Sequence, residues 1–124
     1  DAFEEIHIQA YREYCLAKPG VTEDFPFDEK TLVFKVCGKM FALVDVDFFE
    51  SVNLKCDPEK ALELRASYPG IKPGYHMNKK HWNTVENDGS IEDDFLLQMT
   101  DESYDLVVQK LTKKEKALLL GRFQ

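Results

Sequence analysis

The stretch of residues 31–56 places the strongest constraint on the fold, because it holds three consecutive strand patterns joined by short connections. In the first and third runs one apolar set of side chains alternates with a second set, which is the period of two that a half-buried strand requires, and the second run follows the first after a short turn. The three runs are residues 31–37, 40–45 and 51–56. Short connections between strands favour antiparallel pairing. This part of the chain therefore predicts an antiparallel sheet.

The first two runs predict a hairpin whose turn lies at residues 38–39. In that register Val36 faces Phe41 and Phe34 faces Leu43, so both strands bury the same side. A shift by one residue would move each side chain to the opposite face of the sheet. The pairing of these four residues is therefore a sharp prediction.

The remainder of the chain predicts helices, with a second extended region between them. The predicted order is a helix over residues 2–17, the three strands, a helix over residues 57–68 capped by Asp57 and Pro58, an extended region over residues 74–85, and helices over residues 90–111 and from residue 112. We therefore predict an α+β fold, a two-layer α-β(3)-α-β(2)-α domain with an antiparallel sheet. One face of that sheet would carry no helix.

Composition limits the class of protein further. The chain has 124 residues, of which 44% are hydrophobic and 12% are aromatic, so it can form one hydrophobic core and is not disordered. We expect residues 1–124 to form a single domain. The sequence has no long apolar run, and its acidic first helix does not resemble a signal peptide. Three widely spaced cysteines fit neither a disulfide framework nor a zinc site. These features predict a cytoplasmic protein without a membrane partner.

Charge is segregated along the sequence. Residues 30–44, 51–56 and 71–85 contain seven lysines and no acidic residue, whereas the net charge of the whole chain is -7. The remaining residues therefore carry a net charge of -14. One interpretation is that the lysines protect sheet edges from aggregation. The other is that they form a basic platform on the helix-free face, whose predicted members are Val33, Lys35, Met40, Ala42, Val44, Asn53 and Lys55.

Five segments in fixed order carry a family resemblance. They are residues 19–27, 35–43, 53–59, 73–85 and 103–108, and they include the sequences KVCGKMFAL and PGYHMNKKHWNTV. With these segments the chain resembles the MmcQ/YjbR family of small bacterial proteins. The resemblance implies a fold likened to type III secretion chaperones and frataxin-like domains. It also implies DNA binding through a double wing of two hairpins, which would lie here at residues 36–40 and 78–80. Cys37 stands where a second glycine is expected.

Residues 75–83 hold the highest local concentration of basic, aromatic and amide side chains in the sequence. Lysines would neutralise phosphates, Trp82 would stack on a base and Asn83 would reach a base edge. The alternative for Trp82 is a core position, because a lone tryptophan in a small domain is usually buried. The candidate residues for binding nucleic acid are Lys35, Lys39, Lys55, Lys79, Lys80, His81, Trp82 and Asn83.

DNA is the first partner that the sequence predicts, with weak and salt-sensitive binding because the pI is near 4.9. The alternative is a protein- or peptide-binding module resembling the secretion chaperones, which would use the apolar part of the same face. A small-molecule or drug-resistance protein is the third class. No catalytic or metal-binding motif occurs, so we expect no enzymatic activity, no cofactor and no metal. The strand at residues 51–56 is predicted to be an edge strand, where Lys55 opposes dimer formation; a monomer is therefore expected.

Overall fold

The computed structural model describes residues 7–74 and 77–121. In this part of the chain, four helices pack against one face of a six-stranded antiparallel sheet. The elements are α1 (Ile8–Leu16), β1 (Val21–Asp24), β2 (Thr31–Val36), β3 (Lys39–Asp45), β4 (Ser51–Lys55), α2 (Pro58–Ser67), β5 (Ile71–Pro73), β6 (Trp82–Glu86), α3 (Asp93–Gln109) and α4 (Lys113–Gly121). The strand order is β1-β2-β3-β4-β6-β5. The predicted α+β class and antiparallel sheet are confirmed.

Local side-chain caps explain where two helices begin. The Asp57 carboxylate accepts a hydrogen bond of 3.3 Å from the Lys60 N–H, and Pro58 occupies the first turn of α2. At α4 the Thr112 hydroxyl accepts from the Glu115 N–H at 3.1 Å, and the Glu115 carboxylate accepts from the Thr112 N–H at 2.9 Å. This reciprocal pair is a capping box. Both predicted helix starts are therefore confirmed.

The predicted hairpin register is wrong. Val36 pairs with Lys39, so the turn consists of Cys37 and Gly38, which both have positive φ angles (50° and 76°). This turn lies one residue earlier in the chain than predicted. The register shifts again between Phe34 and the next residue of β2, where the ladder is irregular. A β-bulge adds one unpaired residue, and alternation within a single strand gives no signal for it.

The corrected register moves two predicted platform residues to the other face. Phe34 pairs with Ala42, and Val44 pairs with Val52, so Ala42 and Val44 lie among the core side chains on the helix side. Leu43 points to the opposite face instead. The helix-free face, as predicted, includes Val33, Lys35, Met40, Asn53 and Lys55.

One strand was not predicted, and one was assigned to the wrong position. Strand β1 pairs with β2 and is an edge of the sheet, although only the first two residues of its sequence VTED favour a strand. Strand β4 lies between β3 and β6, so it is an internal strand and not the predicted edge. The predicted extended region at residues 74–85 is two strands, β5 and β6; Tyr75 and His76 lie outside the described residues, as do residues 2–6 of the predicted first helix.

The main core lies between the sheet and the helices. Its centre holds Tyr11, Phe34 and Phe41, and the Tyr11 ring meets the Phe34 ring edge-on at a centroid distance of 6.2 Å. The buried Tyr11 hydroxyl is 2.8 Å from the Thr100 hydroxyl, which in turn donates to the Leu96 carbonyl. Among the described residues, no helix is both long enough and apolar enough to cross a membrane.

Candidate nucleic-acid interface

Both predicted wings lie at the same end of the sheet. The turn between β2 and β3 is at this end, and because neighbouring strands are antiparallel, β4 ends here and β6 begins here. The connection from β5 to β6 reaches the sheet at the same end, where Lys55 of β4 pairs with Trp82 of β6. The strand order therefore brings distant basic segments together.

A groove opens at this end of the sheet, beside the last turn of α3. It has a volume of about 420 Å³ and is lined by three lysines and three apolar side chains. We call it the basic groove; its residues are Lys39, Met40, Lys55, Trp82, Val107 and Lys110. Lys39 begins β3, Lys55 ends β4, and Lys110 follows the last residue of α3.

The three lysines of the basic groove repel one another. Partial burial lowers the pKa of the Lys55 ammonium below its ordinary value, and the positive charges of Lys110 and Lys39 lower it further. None of the three makes an ion pair with a carboxylate of the described residues. Glu115 is attracted to Lys39 at longer range. A bound anion would relieve this repulsion.

Two other lysines of the basic segments are ion-paired. The Lys35 ammonium lies on the helix-free face but is 3.3 Å from the Asp24 carboxylate of β1. Lys72 is ion-paired with Glu86. The lysines predicted from sequence thus divide into paired and clustered groups, and Lys35 belongs to the first.

The turn before β6 presents Lys79 and Lys80 to solvent. Its backbone is fixed from both sides, because the Lys79 carbonyl accepts from the Arg65 guanidinium and the His81 carbonyl accepts from the Cys56 N–H at 2.7 Å. The side chains of Lys79 and Lys80 are exposed, and His81 is half-buried. This turn therefore places two further lysines at the same end of the sheet as the basic groove.

Trp82 is a packing residue more than a stacking surface. Its side chain is only 7% exposed, and it packs with Val33 and Leu43 under the partly buried Met40 and Met77. This small cluster lies on the sheet face opposite the helices. The exposed area is too small for a base to stack on the ring in this conformation. The sequence predicts a peptide-binding surface on the apolar part of this face. That part is formed by the same cluster, in which Val33, Leu43 and Trp82 are buried.

Asn83 lies on the helix side of the sheet and does not line the basic groove. It pairs with Leu54 in the ladder, is 2% exposed, and accepts a hydrogen bond of 2.6 Å from Nε of Arg65 through its Oδ1. Successive strand residues point to opposite faces. Asn83 therefore cannot act together with Trp82 at a base edge.

Lys110 was missed because it lies on a helix outside the basic segments. Its position could have been found from helical spacing. The Ser103 hydroxyl accepts from the Lys55 N–H at 2.9 Å, which fixes this part of α3 beside the end of β4. Residues four and seven positions after Ser103 continue the same helix stripe, and these are Val107 and Lys110.

Acidic residues near the opposite end of the sheet lie in the loop between β3 and β4. The Asp45 carboxylate accepts from the Phe48 N–H at 3.2 Å and the Glu50 N–H at 3.1 Å, which closes the loop between β3 and β4. Within residues 7–74 and 77–121, no group of three potential metal ligands comes together.

Comparison with known proteins gives a consistent result. A sequence model of the YjbR family matches residues 16–106. The uncharacterized protein YjbR of Escherichia coli K12 is 38% identical over 114 residues, which cover 91% of this chain and 97% of that protein. The uncharacterized protein YbdF of Escherichia coli O157:H7 is 40% identical over 114 residues, with coverage of 91% and 93%.

A solved structure has the same architecture. The crystal structure of Deinococcus radiodurans protein DR2400, which contains a DUF419 domain, superposes with a TM-score of 0.84 at 43% identity and covers 91% of this chain and 87% of that chain. A Pseudomonas syringae protein superposes with a TM-score of 0.68 at 28% identity, covering 82% and 98%. Sequence and structure agree: the chain belongs to the YjbR family.

Proposed function

We propose that this protein binds nucleic acid, with DNA as its first target, through the basic groove. The observation that carries the proposal is the convergence of Lys39, Lys55 and Lys110 without an ion-paired carboxylate among the described residues. Phosphate oxygens would replace mutual repulsion with charge-assisted contacts. Lys79 and Lys80 at the neighbouring turn would extend the contact along the backbone. In this proposal the protein binds its target and performs no catalysis.

The proposed binding is weak and independent of base sequence. The net charge of -7 repels a polyanion at long range, so the groove acts only at close approach. Neutralising three to five phosphates would give a slope of log affinity against log salt of about -2.7 to -4.5. Trp82 is covered by neighbouring side chains, and Asn83 is buried outside the groove. The groove therefore offers few contacts that could distinguish one base from another.

A charge-matched pair of double variants tests the proposal. We expect K55Q/K110Q to lower the affinity for a fluorescein-labelled DNA duplex by about tenfold or more at low salt, and to reduce the salt slope by about two. The control, K30Q/K72Q, removes the same total charge from lysines that are ion-paired elsewhere. Its effect should stay within about threefold. Fluorescence anisotropy measures both, and circular dichroism confirms folding.

Two outcomes would overturn this proposal. Equal losses in the two double variants would mean that any lysine serves, so the basic groove is not the site. Undetectable binding of the unaltered protein to duplex and single-stranded DNA at low salt would exclude nucleic acid as the partner. Tighter binding to single-stranded DNA would support the basic groove as the site and would make single-stranded DNA, not the duplex, the preferred target.

A further inference from the structure

A second concave site lies on the helix side of the sheet, between α2 and α3. The α2–α3 cleft has a volume of about 270 Å³, and strands β4 and β6 form its floor. Its inner wall is apolar and includes Leu54, Leu64, Val85 and Met99. The cleft is half open, and polar side chains surround this apolar inner wall. A concave site that combines an apolar wall with polar groups suits a small molecule. The basic groove lies at the end of the sheet, and Lys55 borders both sites.

Asn83 supplies a buried donor that needs an acceptor. The Arg65 guanidinium can only donate, so its hydrogen bond to Oδ1 fixes which end of the Asn83 amide is the oxygen. The Asn83 Nδ2 is buried and has no acceptor among the described residues. Leaving such a donor unpaired costs about 1–3 kcal/mol, and natural structures seldom do so. Asn83 lines the cleft and its Nδ2 is covered at the wall, so a ligand oxygen that enters the wall at this point would give the donor an acceptor.

The rim of the cleft limits the charge of the ligand. Lys60 of α2 and Glu102 of α3 are ion-paired, and together they bridge the two helices. Asp57 is engaged in capping α2. With Lys55 and Asp105 included, the lining carries two lysines and three carboxylates, so charges of both signs surround the cleft with one negative charge in excess. A neutral ligand fits this lining better than an ion of either sign.

We propose that the α2–α3 cleft binds a small uncharged organic molecule that has an apolar body and a carbonyl oxygen. The apolar body lies against Leu64 and Met99, and the carbonyl accepts from Nδ2 of Asn83. The Lys60–Glu102 pair remains at the rim. This site is separate from the basic groove, and its ligand need not affect DNA binding.

A panel of matched probes tests the proposed chemistry. The probes are acetophenone, benzamide and cyclohexanone, each added at millimolar concentration to the ¹⁵N-labelled full chain. The reference compound is α-methylstyrene, which has the shape of acetophenone without its oxygen. We expect saturable NMR shifts of the Asn83 side-chain amide with at least one carbonyl probe, and binding of α-methylstyrene weaker by about tenfold or more.

Two variants locate the site. L106W places a large ring at the cleft wall and should abolish the shifts, whereas L118W, on an exposed surface of α4, should leave them unchanged. K39Q/K110Q, at two lysines of the basic groove that do not line the cleft, should also retain carbonyl binding, which separates this result from the fate of the DNA proposal. Equal binding of acetophenone and α-methylstyrene, shifts that survive L106W, or no saturable shift with any carbonyl probe would overturn the inference.

Discussion

At the scale of single residues, Ser103 joins three elements. Its buried hydroxyl donates to the Phe41 carbonyl at 2.6 Å and accepts from the Lys55 N–H at 2.9 Å, so α3 is tied to both β3 and β4. We expect Ser103→Ala to lower the free energy of unfolding by about 1–3 kcal/mol, because two buried backbone groups lose their partner. Urea denaturation measures this. Ser67→Ala, at an exposed position, should change stability by no more than about 0.5 kcal/mol, and equal effects would contradict the prediction.

Cys15 makes the stability of the protein sensitive to alkaline pH. The side chain has no exposed surface, and burial raises the pKa of its thiol from 9.0 to about 12. Between these values the unfolded chain loses a proton that the folded chain keeps. The stabilisation is therefore complete below pH 9.0 and is lost as the pH rises toward 12, by about 1.4 kcal/mol per pH unit for this one group.

Urea unfolding of the Cys15→Ala variant measures this contribution. The variant is less stable at neutral pH because it leaves a cavity, but its free energy of unfolding should fall less steeply than that of the unaltered protein above pH 9.0. Parallel curves for the two proteins from pH 9.0 to about pH 11 would contradict the assignment.

At the residue scale the sequence gives the charge of a side chain directly, and the binding role of each candidate residue stays a prediction. The basic character of Lys39 and Lys55 was read directly from the chain. Trp82 and Asn83 cannot both contact the same base, because consecutive residues of a strand point to opposite faces. The exposed fraction of Trp82 depends on Met40 and Met77, and no local pattern gives that information.

At the scale of elements, the β2–β3 turn depends on backbone conformation. Gly38 has a φ of +76°, and a Cβ added there would meet no atom within 4 Å. Gly38→Ala should therefore lower the free energy of unfolding by about 1 kcal/mol through strain alone. The matched control is Gly121→Ala, which also has open space around it but lies in α4. We expect that control to be neutral or slightly stabilising in urea denaturation; equal losses would contradict the argument.

Strand β1 limits the basic platform, because its Asp24 neutralises Lys35. We expect Asp24→Asn to raise affinity for DNA by about twofold to threefold and to make the salt slope steeper by about one, since one more lysine becomes available. Asp94→Asn, at an exposed position of α3, changes the net charge equally. Anisotropy titrations of the two variants should differ; the same small increase in both would show that only net charge matters.

Elements with local signals were predicted well, and elements set by tertiary contacts were not. Asp57 and Thr112 mark helix starts through their own side chains. Strand β1 has no such signal, because its sequence VTED forms a strand only through pairing with β2 and the ion pair of Glu23 with Arg12. The bulge at Phe34 is equally invisible in the alternation of one strand.

At the scale of the whole molecule, the proposed site exists only in the folded chain. Lys39, Lys55 and Lys110 are far apart in sequence, and they meet because antiparallel strand order and the position of α3 bring them together. Charge segregation in the sequence predicted a basic region but not which lysines remain clustered. That distinction depends on where Asp24 and Glu86 lie, which is a property of the complete sheet.

The placement of both wing turns at one end of the sheet has a practical consequence for handling the protein. The loop between β3 and β4 lies at the far end, where the side chain of Phe48 is 76% exposed. Attachment of the protein to a biosensor surface through that loop would leave the basic groove, at the other end of the sheet, facing the solution that contains DNA. Immobilisation through the thiol of Cys37, which lies in the β2–β3 turn, would instead place the basic groove against the sensor surface and block access to it.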